Sequence, residues 1–117
     1  MAYMLLIIER ADQRIGRTNE EAHDAYDQMV RFAEGLKKRG ILRAVESLAA
    51  QDKGARVQVR EGRTQVLDGP FTESKEMVGG FFLLDCGTLE EAVSIARECP
   101  AASWSTVEVR KVAPCWE

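Results

Sequence analysis

The residues best suited to chemistry lie in one stretch, from Asp68 to Glu76, which carries four acidic or basic side chains around a proline and a phenylalanine. A loop that only joins two strands needs about two to five residues, and this stretch has nine. Gly69 permits unusual backbone angles and Pro70 fixes φ, so the turn has a preset shape. The pattern indicates a shaped, charged site in which Asp68 or Glu73 could act as a general base if desolvated.

The other members of this stretch are candidate ligand-binding residues. A carboxylate held near a lysine keeps both groups charged, and such a pair could orient a polar ligand. Phe71 is expected to be an anchor driven into the core. In the alternative interpretation Asp68 caps its own turn and Lys75 forms a structural ion pair. The predicted ligand-binding set is Gly69, Pro70, Phe71, Lys75 and Glu76.

His23 is the only histidine and has Asp27 four residues further along a predicted helix. Residues at this spacing are neighbours on a helix surface. A His–Asp pair can form a general base whose tautomer is fixed by the acid, so His23 is a candidate catalytic residue. The alternative is an exposed histidine with an incidental neighbour. One histidine and scattered cysteines predict no metal site.

Two other clusters could contribute to a site. Arg10, Arg14 and Arg17 crowd the connection between the first strand and the first helix, where they could meet an anionic ligand or remain solvated. Gly79 and Gly80 precede an apolar strand and indicate a bulge or close backbone approach. They lack the contexts of nucleotide-phosphate loops, so no cofactor is predicted.

The elements that must position these residues alternate between strands and helices. Capping boxes at Thr18–Glu21 and Thr88–Glu91 predict two helix starts, and the first helix ends at Gly40. Strands are predicted over residues 3–9, 41–48, 56–60, 64–67, 81–86 and 105–112, with a hairpin turn at 61–63.

The unit of strand, cap, helix and strand occurs twice, with the caps 70 residues apart. Two such halves joined by a hairpin predict an α+β, ferredoxin-like fold with a mixed, largely antiparallel sheet and both helices on one face. The central strands are apolar on both sides, so the other face must also be covered. A second copy is the simplest cover, which predicts a homodimer with facing sheets.

Composition bounds the class of protein. A chain of 117 residues is predicted to form a single domain over residues 1–117. The net charge of −3 argues against a general nucleic-acid binder. No apolar run approaches the roughly 20 residues of a membrane span, and the first residues do not form a secretory signal. Three cysteines without C-x-x-C spacing predict reduced thiols in a cytoplasmic protein.

The run Asp68-Gly69-Pro70-Phe71, followed by 73, 75–76 and 79–81, resembles the signature of the DGPF family, part of the YCII-related group. Residues 3–7 and 107–110 are also similar to that family. The resemblance implies a ferredoxin-like, dimeric α+β-barrel fold and a pocket at the Asp68–Glu76 loop. Many DGPF proteins are encoded beside extracytoplasmic-function sigma factors, which implies an accessory role. Better-understood YCII-like relatives use a His–Asp pair in an enzymatic pocket, including a dehydrochlorinase-type activity.

Two functions remain open at this point. One is a small-molecule pocket with lyase- or hydrolase-type acid–base chemistry, which requires Asp68, Glu73 and Lys75 to converge in a cavity. The other is a non-catalytic dimeric module that binds a ligand or partner, with a link to sigma-factor regulation.

Overall fold

A computed structural model of the chain describes all 117 residues and contains a four-stranded sheet, a separate two-stranded hairpin and two α-helices. Short 3₁₀ turns lie at Gln51–Lys53 and Pro100–Ser103. Neither helix combines the length and apolarity needed to cross a lipid bilayer. The strands are β1 (Ala2–Arg10), β2 (Leu42–Ser47), β3 (Ala55–Arg60), β4 (Arg63–Asp68), β5 (Glu76–Asp85) and β6 (Thr106–Lys111), and the helices are α1 (Asn19–Lys38) and α2 (Leu89–Glu98).

The large sheet has the strand order β2-β5-β1-β6, and every neighbouring pair in it is antiparallel. The predicted antiparallel character is therefore confirmed, whereas the parallel component of a mixed sheet is absent. The reason is topological: β5 lies between β1 and β2, and β1 lies between β5 and β6. The two parallel strands of each β-α-β unit are thus never adjacent.

Both helices cover the same face of this sheet. Alternate residues of β1, from Tyr3 through Leu5 to Ile7, point toward the helices and are buried. They pack with Phe82 and Leu84 of β5 and with residues of both helices in a core of 12 buried side chains. The opposite face, which we call the open face, has no covering element, and its apolar side chains are half-buried: Met4, Leu6, Ile8, Phe81 and Leu83.

Local signals set the helix boundaries. Thr18 accepts from the backbone N–H of Glu21 and the Glu21 carboxylate accepts from the Thr18 N–H, both at 3.1 Å, so the first capping box is confirmed. At the second helix Thr88 caps the N–H of Glu91, but the Glu91 carboxylate turns back to the N–H of Gly87 at 2.7 Å. That second box is therefore only half formed.

Two strand boundaries differ from the prediction. The hairpin turn contains only Glu61 and Gly62, both with positive φ, so β4 begins at Arg63. Strand β5 begins at Glu76 rather than Phe81 because Glu76 pairs with Arg10 of β1. The connection between β4 and β5 is therefore shorter than the Asp68–Glu76 stretch suggested.

Candidate functional site

A cavity of about 630 Å³ lies between α1 and the sheet, and 13 of its 22 lining residues are hydrophobic. It exists because α1 covers the sheet incompletely. Leu36 is the only buried residue of that helix, and Tyr26 is 57% exposed. In the N-terminal half of α1 the short side chains of Ala22 and Ala25 face the cavity and do not fill it. The predicted apolar stripe of α1 therefore forms a cavity wall over part of its length.

Glu9 lies at one end of this cavity. The alternation of β1 places it on the same face as Tyr3 and Ile7, and it is only 6% exposed. A buried carboxylate needs a charged or hydrogen-bonding partner. Arg14, in the loop between β1 and α1, supplies it: its Nε donates to Glu9 Oε1 at 2.6 Å.

Arg14 also ties three parts of the fold together. Beside its bond to β1, it donates to the carbonyl oxygen of Leu48, after β2, at 2.8 Å. A weaker bond reaches the carbonyl oxygen of Gly79 in β5 at 3.4 Å. These contacts fix the guanidinium and, through it, the orientation of the Glu9 carboxylate.

The second oxygen of Glu9 remains free. Oε2 accepts no hydrogen bond from the chain, since the only side-chain bond to this carboxylate is the one to Oε1. No fully enclosed side-chain oxygen of the protein lacks a partner, so Oε2 is not completely enclosed. Glu9 lines the cavity, which is therefore the space from which a bound molecule would approach this carboxylate.

A β-bulge at Gly79 makes room for this carboxylate. Ile7 pairs with Gly80 and Ile8 with Val78, so Gly79 is the extra residue in β5. A Cβ at position 79 would lie 2.9 Å from the Glu9 carboxylate. A Cβ at Gly80 would lie 2.7 Å from a backbone oxygen of β2. The predicted bulge and the predicted close approach are both confirmed.

Arg17 and Trp104 form another part of the wall. The Arg17 guanidinium lies over the Trp104 ring, 5.7 Å from its centroid. Arg17 is half-buried and forms no ion pair, whereas Arg10 is exposed and pairs with Asp12 at 3.4 Å. Gln13 donates to the Trp104 carbonyl oxygen and anchors the loop that carries both cavity arginines. The structure thus brings Arg14 and Arg17, but not Arg10, to the cavity.

The Asp68–Glu76 stretch lies elsewhere. Phe71 is buried, at 9% exposure, but it packs outside the 12-residue core, under the Arg56 guanidinium at 4.0 Å from the ring centroid. Gly69 fits so tightly that a Cβ would lie 1.8 Å from the Gln51 carbonyl oxygen. Phe71 and Glu76 line a second cavity, of about 490 Å³, beside Ile8 of the open face.

The predicted catalytic side chains of this stretch, Asp68 and Glu73, are exposed, and so is the predicted ligand-binding residue Lys75. None of the three has an ion pair or lines either cavity. Pro70 is also exposed, and Gly69 is half-buried. A single chain does not bring these charged groups together, and their catalytic and ligand-binding roles stay predictions.

His23 is exposed on α1, and its Nδ1 lies 2.8 Å from the carbonyl oxygen of Asn19. No hydrogen bond or ion pair joins it to Asp27, and it does not line the cavity beneath α1. Its catalytic role stays a prediction. No group of three His, Cys, Asp or Glu side chains is placed to share a metal ion.

Comparison with known proteins identifies the family. A sequence profile of the YCII-related domain matches residues 1–116. The chain belongs to the YCII-related family. An uncharacterized protein of Rhizobium meliloti (strain 1021) is 40% identical to it over 85 residues, or 71% of this chain. The matched residues make up 65% of the Rhizobium meliloti protein, so the chain covers slightly less than two thirds of that relative's length.

Sequence reasoning missed the carboxylate with the most enclosed surroundings in this YCII-related protein. The signal was present: the period of two in β1 puts Glu9 on the face of Leu5 and Ile7. An acidic residue in phase with buried ones indicates a buried charge that needs a cation. Arg14 follows five residues later, and the glycine pair at 79–80 offers the space.

Proposed function

We propose that this protein binds a small, largely apolar organic molecule in the cavity beneath α1, and that Glu9 is its acid–base group. The observation that carries the proposal is a buried carboxylate that lines the cavity, with Oε1 held by Arg14 and Oε2 without a hydrogen-bond partner in the chain. A fixed carboxylate facing an apolar space can accept a proton from a bound molecule or from a water beside it. The first reaction leads to elimination and the second to hydrolysis, so the chemistry is of the lyase or hydrolase type.

The lining supports a ligand with an apolar body and one anionic group. Tyr26, Met29, Phe82 and Trp104 offer aromatic and sulfur-containing surface. Arg17 adds a half-buried cation that forms no direct ion pair and stacks on Trp104. An anion placed there gains a charge-assisted hydrogen bond in surroundings of low polarity.

Binding without turnover is the second candidate. None of the predicted catalytic residues Asp68, His23 and Glu73 lines this cavity, and this observation supports a ligand sensor as the alternative. Assignment to the DGPF branch and a link to sigma-factor regulation would suit such an accessory role in the cytoplasm.

The test is binding and turnover with a panel of small aromatic and aliphatic carboxylates, monitored by thermal shift and by NMR of the ligand. The Arg17→Gln variant should weaken binding by at least tenfold, whereas Arg10→Gln, in the same loop but outside the cavity, should leave it unchanged. Glu9→Gln should abolish turnover while the ligand still binds. Binding that survives in Arg17→Gln would refute the anion site, and wild-type binding without any turnover would favour the sensor.

We also propose that the protein is a homodimer whose open sheet faces pack together as a dimeric α+β barrel. The half-buried side chains of the open face, including Leu6 and Phe81, support it, because central strands normally bury both sides. Light scattering at micromolar concentration should give twice the chain mass of 13.1 kDa. A mass of one chain would refute this.

A further inference from the structure

The β3–β4 hairpin, residues 55–68, stands apart from the rest of the molecule, and we call it the arm. Every residue of both strands is exposed, and neither strand pairs with the large sheet. An isolated two-stranded hairpin is at best marginally stable in water. The arm therefore lacks a partner surface within its own chain.

The two faces of the arm differ in chemistry. Val57 pairs with Val66 and Val59 with Thr64, so these side chains share one face. Each of the three valines is about 60% exposed, at 63%, 62% and 58% for Val57, Val66 and Val59. The other face carries Gln58, Arg60, Arg63 and Gln65 along most of its length, with Arg56 and the 59% exposed Leu67 at its base. A ribbon with one valine face and one mainly polar face is the pattern of a half-buried strand pair.

The arm is held firmly at its base. The backbone N–H of Gly69 donates to the carbonyl oxygen of Gly54 at 2.9 Å. Arg56 stacks on Phe71 and donates to Ser74 Oγ at 2.8 Å. The Asp68–Glu76 stretch thus fixes the direction of the arm, while the strands beyond it pair only with each other.

The arm extends the molecule. Six residues per strand give a length of about 20 Å at roughly 3.3 Å per residue. The radius of gyration is 16.0 Å, against about 13 Å expected for a compact chain of this length. The molecule measures 46 × 41 × 18 Å, a thin plate with one uncovered apolar face.

We infer that the arm packs its valine face against a second copy of this chain. The inference rests on the homodimer proposed above and extends it. The base of the arm borders the open face, because Gly54 and Arg56 line the same cavity as Ile8 and Val78. A copy seated on the open face therefore lies within reach of the arm.

The opposite face of the arm fits the same interpretation. Arg60 and Arg63 lie opposite the valines, so they stay in water when the valine face packs against a second copy. The apolar side chains for the valines to contact are those of the open face of that copy, including Leu6 and Phe81.

The test compares two double variants of the arm by sedimentation equilibrium. Val57→Asp with Val66→Asp changes the valine face, and Gln58→Asp with Gln65→Asp places the same charges on the opposite face as a matched control. The first pair should raise the dimer dissociation constant at least tenfold, and the second should change it by less than threefold. Circular dichroism checks that both variants fold.

A photocrosslinker covers the case in which the valine variant does not fold. With p-benzoylphenylalanine at position 59 and a mixture of ¹⁵N-labelled and unlabelled chains, mass spectrometry should show crosslinks between copies. The same probe at position 58 should give few. Crosslinks only within one chain, or an unchanged dissociation constant in the valine variant, would overturn the role of the arm and leave the dimer intact. A monomeric wild type would overturn both.

Discussion

Replacing Arg14 by methionine is expected to be among the most destabilising single changes at the surface of this protein. The variant keeps much of the side-chain length but leaves the Glu9 carboxylate, 6% exposed, without a cation. It also removes the hydrogen bonds to the carbonyl oxygens of Leu48 and Gly79. Removing one partner of a buried pair typically costs about 3–5 kcal/mol. Arg14 is 30% exposed, so screening puts the expected loss near the lower end, at about 3 kcal/mol.

The assay is urea unfolding followed by circular dichroism, at one fixed protein concentration because a dimer makes stability depend on concentration. The matched control is Arg39→Met, which breaks an exposed pair with Glu98 at 3.3 Å, whose side chains are 49% and 54% exposed. Exposed pairs contribute less than about 1 kcal/mol. If Arg14→Met costs no more than Arg39→Met, the Glu9 carboxylate is not a buried charge and the reasoning fails.

A double variant separates charge from packing. Glu9→Gln combined with Arg14→Met has no unpaired charge at this site, so it should be more stable than Arg14→Met alone by about 1–2 kcal/mol. A double variant less stable than either single variant would show that packing, rather than an uncompensated carboxylate, accounts for the loss.

Three other outcomes are expected. Gly69→Ala should cost about 1–3 kcal/mol or more in the same urea assay, because a backbone oxygen lies 1.8 Å from the new Cβ. The control Gly35→Ala, which has nothing within 4 Å of the new Cβ, should instead stabilise α1. Equal effects of the two substitutions on stability would refute the contact at Gly69. A thiol reagent should label Cys115 rapidly and Cys99 only on unfolding, because Cys99 is buried and burial raises the pKa of its thiol. Rapid labelling of all three cysteines in the folded protein would contradict the burial of Cys99. The hydrogen bond from the backbone N–H of Thr18 lowers the pKa of Glu21 below its ordinary value of 4.5. E21Q should therefore be less stable than wild type at pH 7, and this difference in stability should shrink as the pH falls below that value. A difference that grows in acid would contradict the role of this hydrogen bond.

Local signals predicted much of the fold. The Thr18 box and Gly40, which has a φ of 73°, bound α1 to within a residue or two. The repeated strand–helix unit predicted the topology and the common face of the helices. The start of β5 was not predictable in this way, because two adjacent glycines indicate a loop when no pairing partner is known. Only the pairing of Glu76 with Arg10 makes that segment a strand.

The candidate site was predicted in part. Arg14 and Arg17 were recognised as a cationic cluster, but their separation from Arg10 depends on how the loop folds back over the sheet. The helical period of α1 predicted which face is apolar and carried no information on its distance from the sheet. The cavity exists because α1 lies at some distance from the sheet. That distance depends on where Leu36 and the β1–α1 loop hold the helix.

The Asp68–Glu76 stretch and the Glu9 site are connected through the register of β5. The stretch ends where the Ala11 N–H donates to the Lys75 carbonyl oxygen at 2.9 Å, next to the first β1–β5 pair. From this point the strand runs three residues before the bulge places Gly79 under the Glu9 carboxylate. A shift of one residue would turn β5 over and set a side chain where that space is needed. The hydrogen bond between Ala11 and Lys75 at the end of the stretch therefore belongs to the register that lets the Glu9 carboxylate be buried beside the cavity.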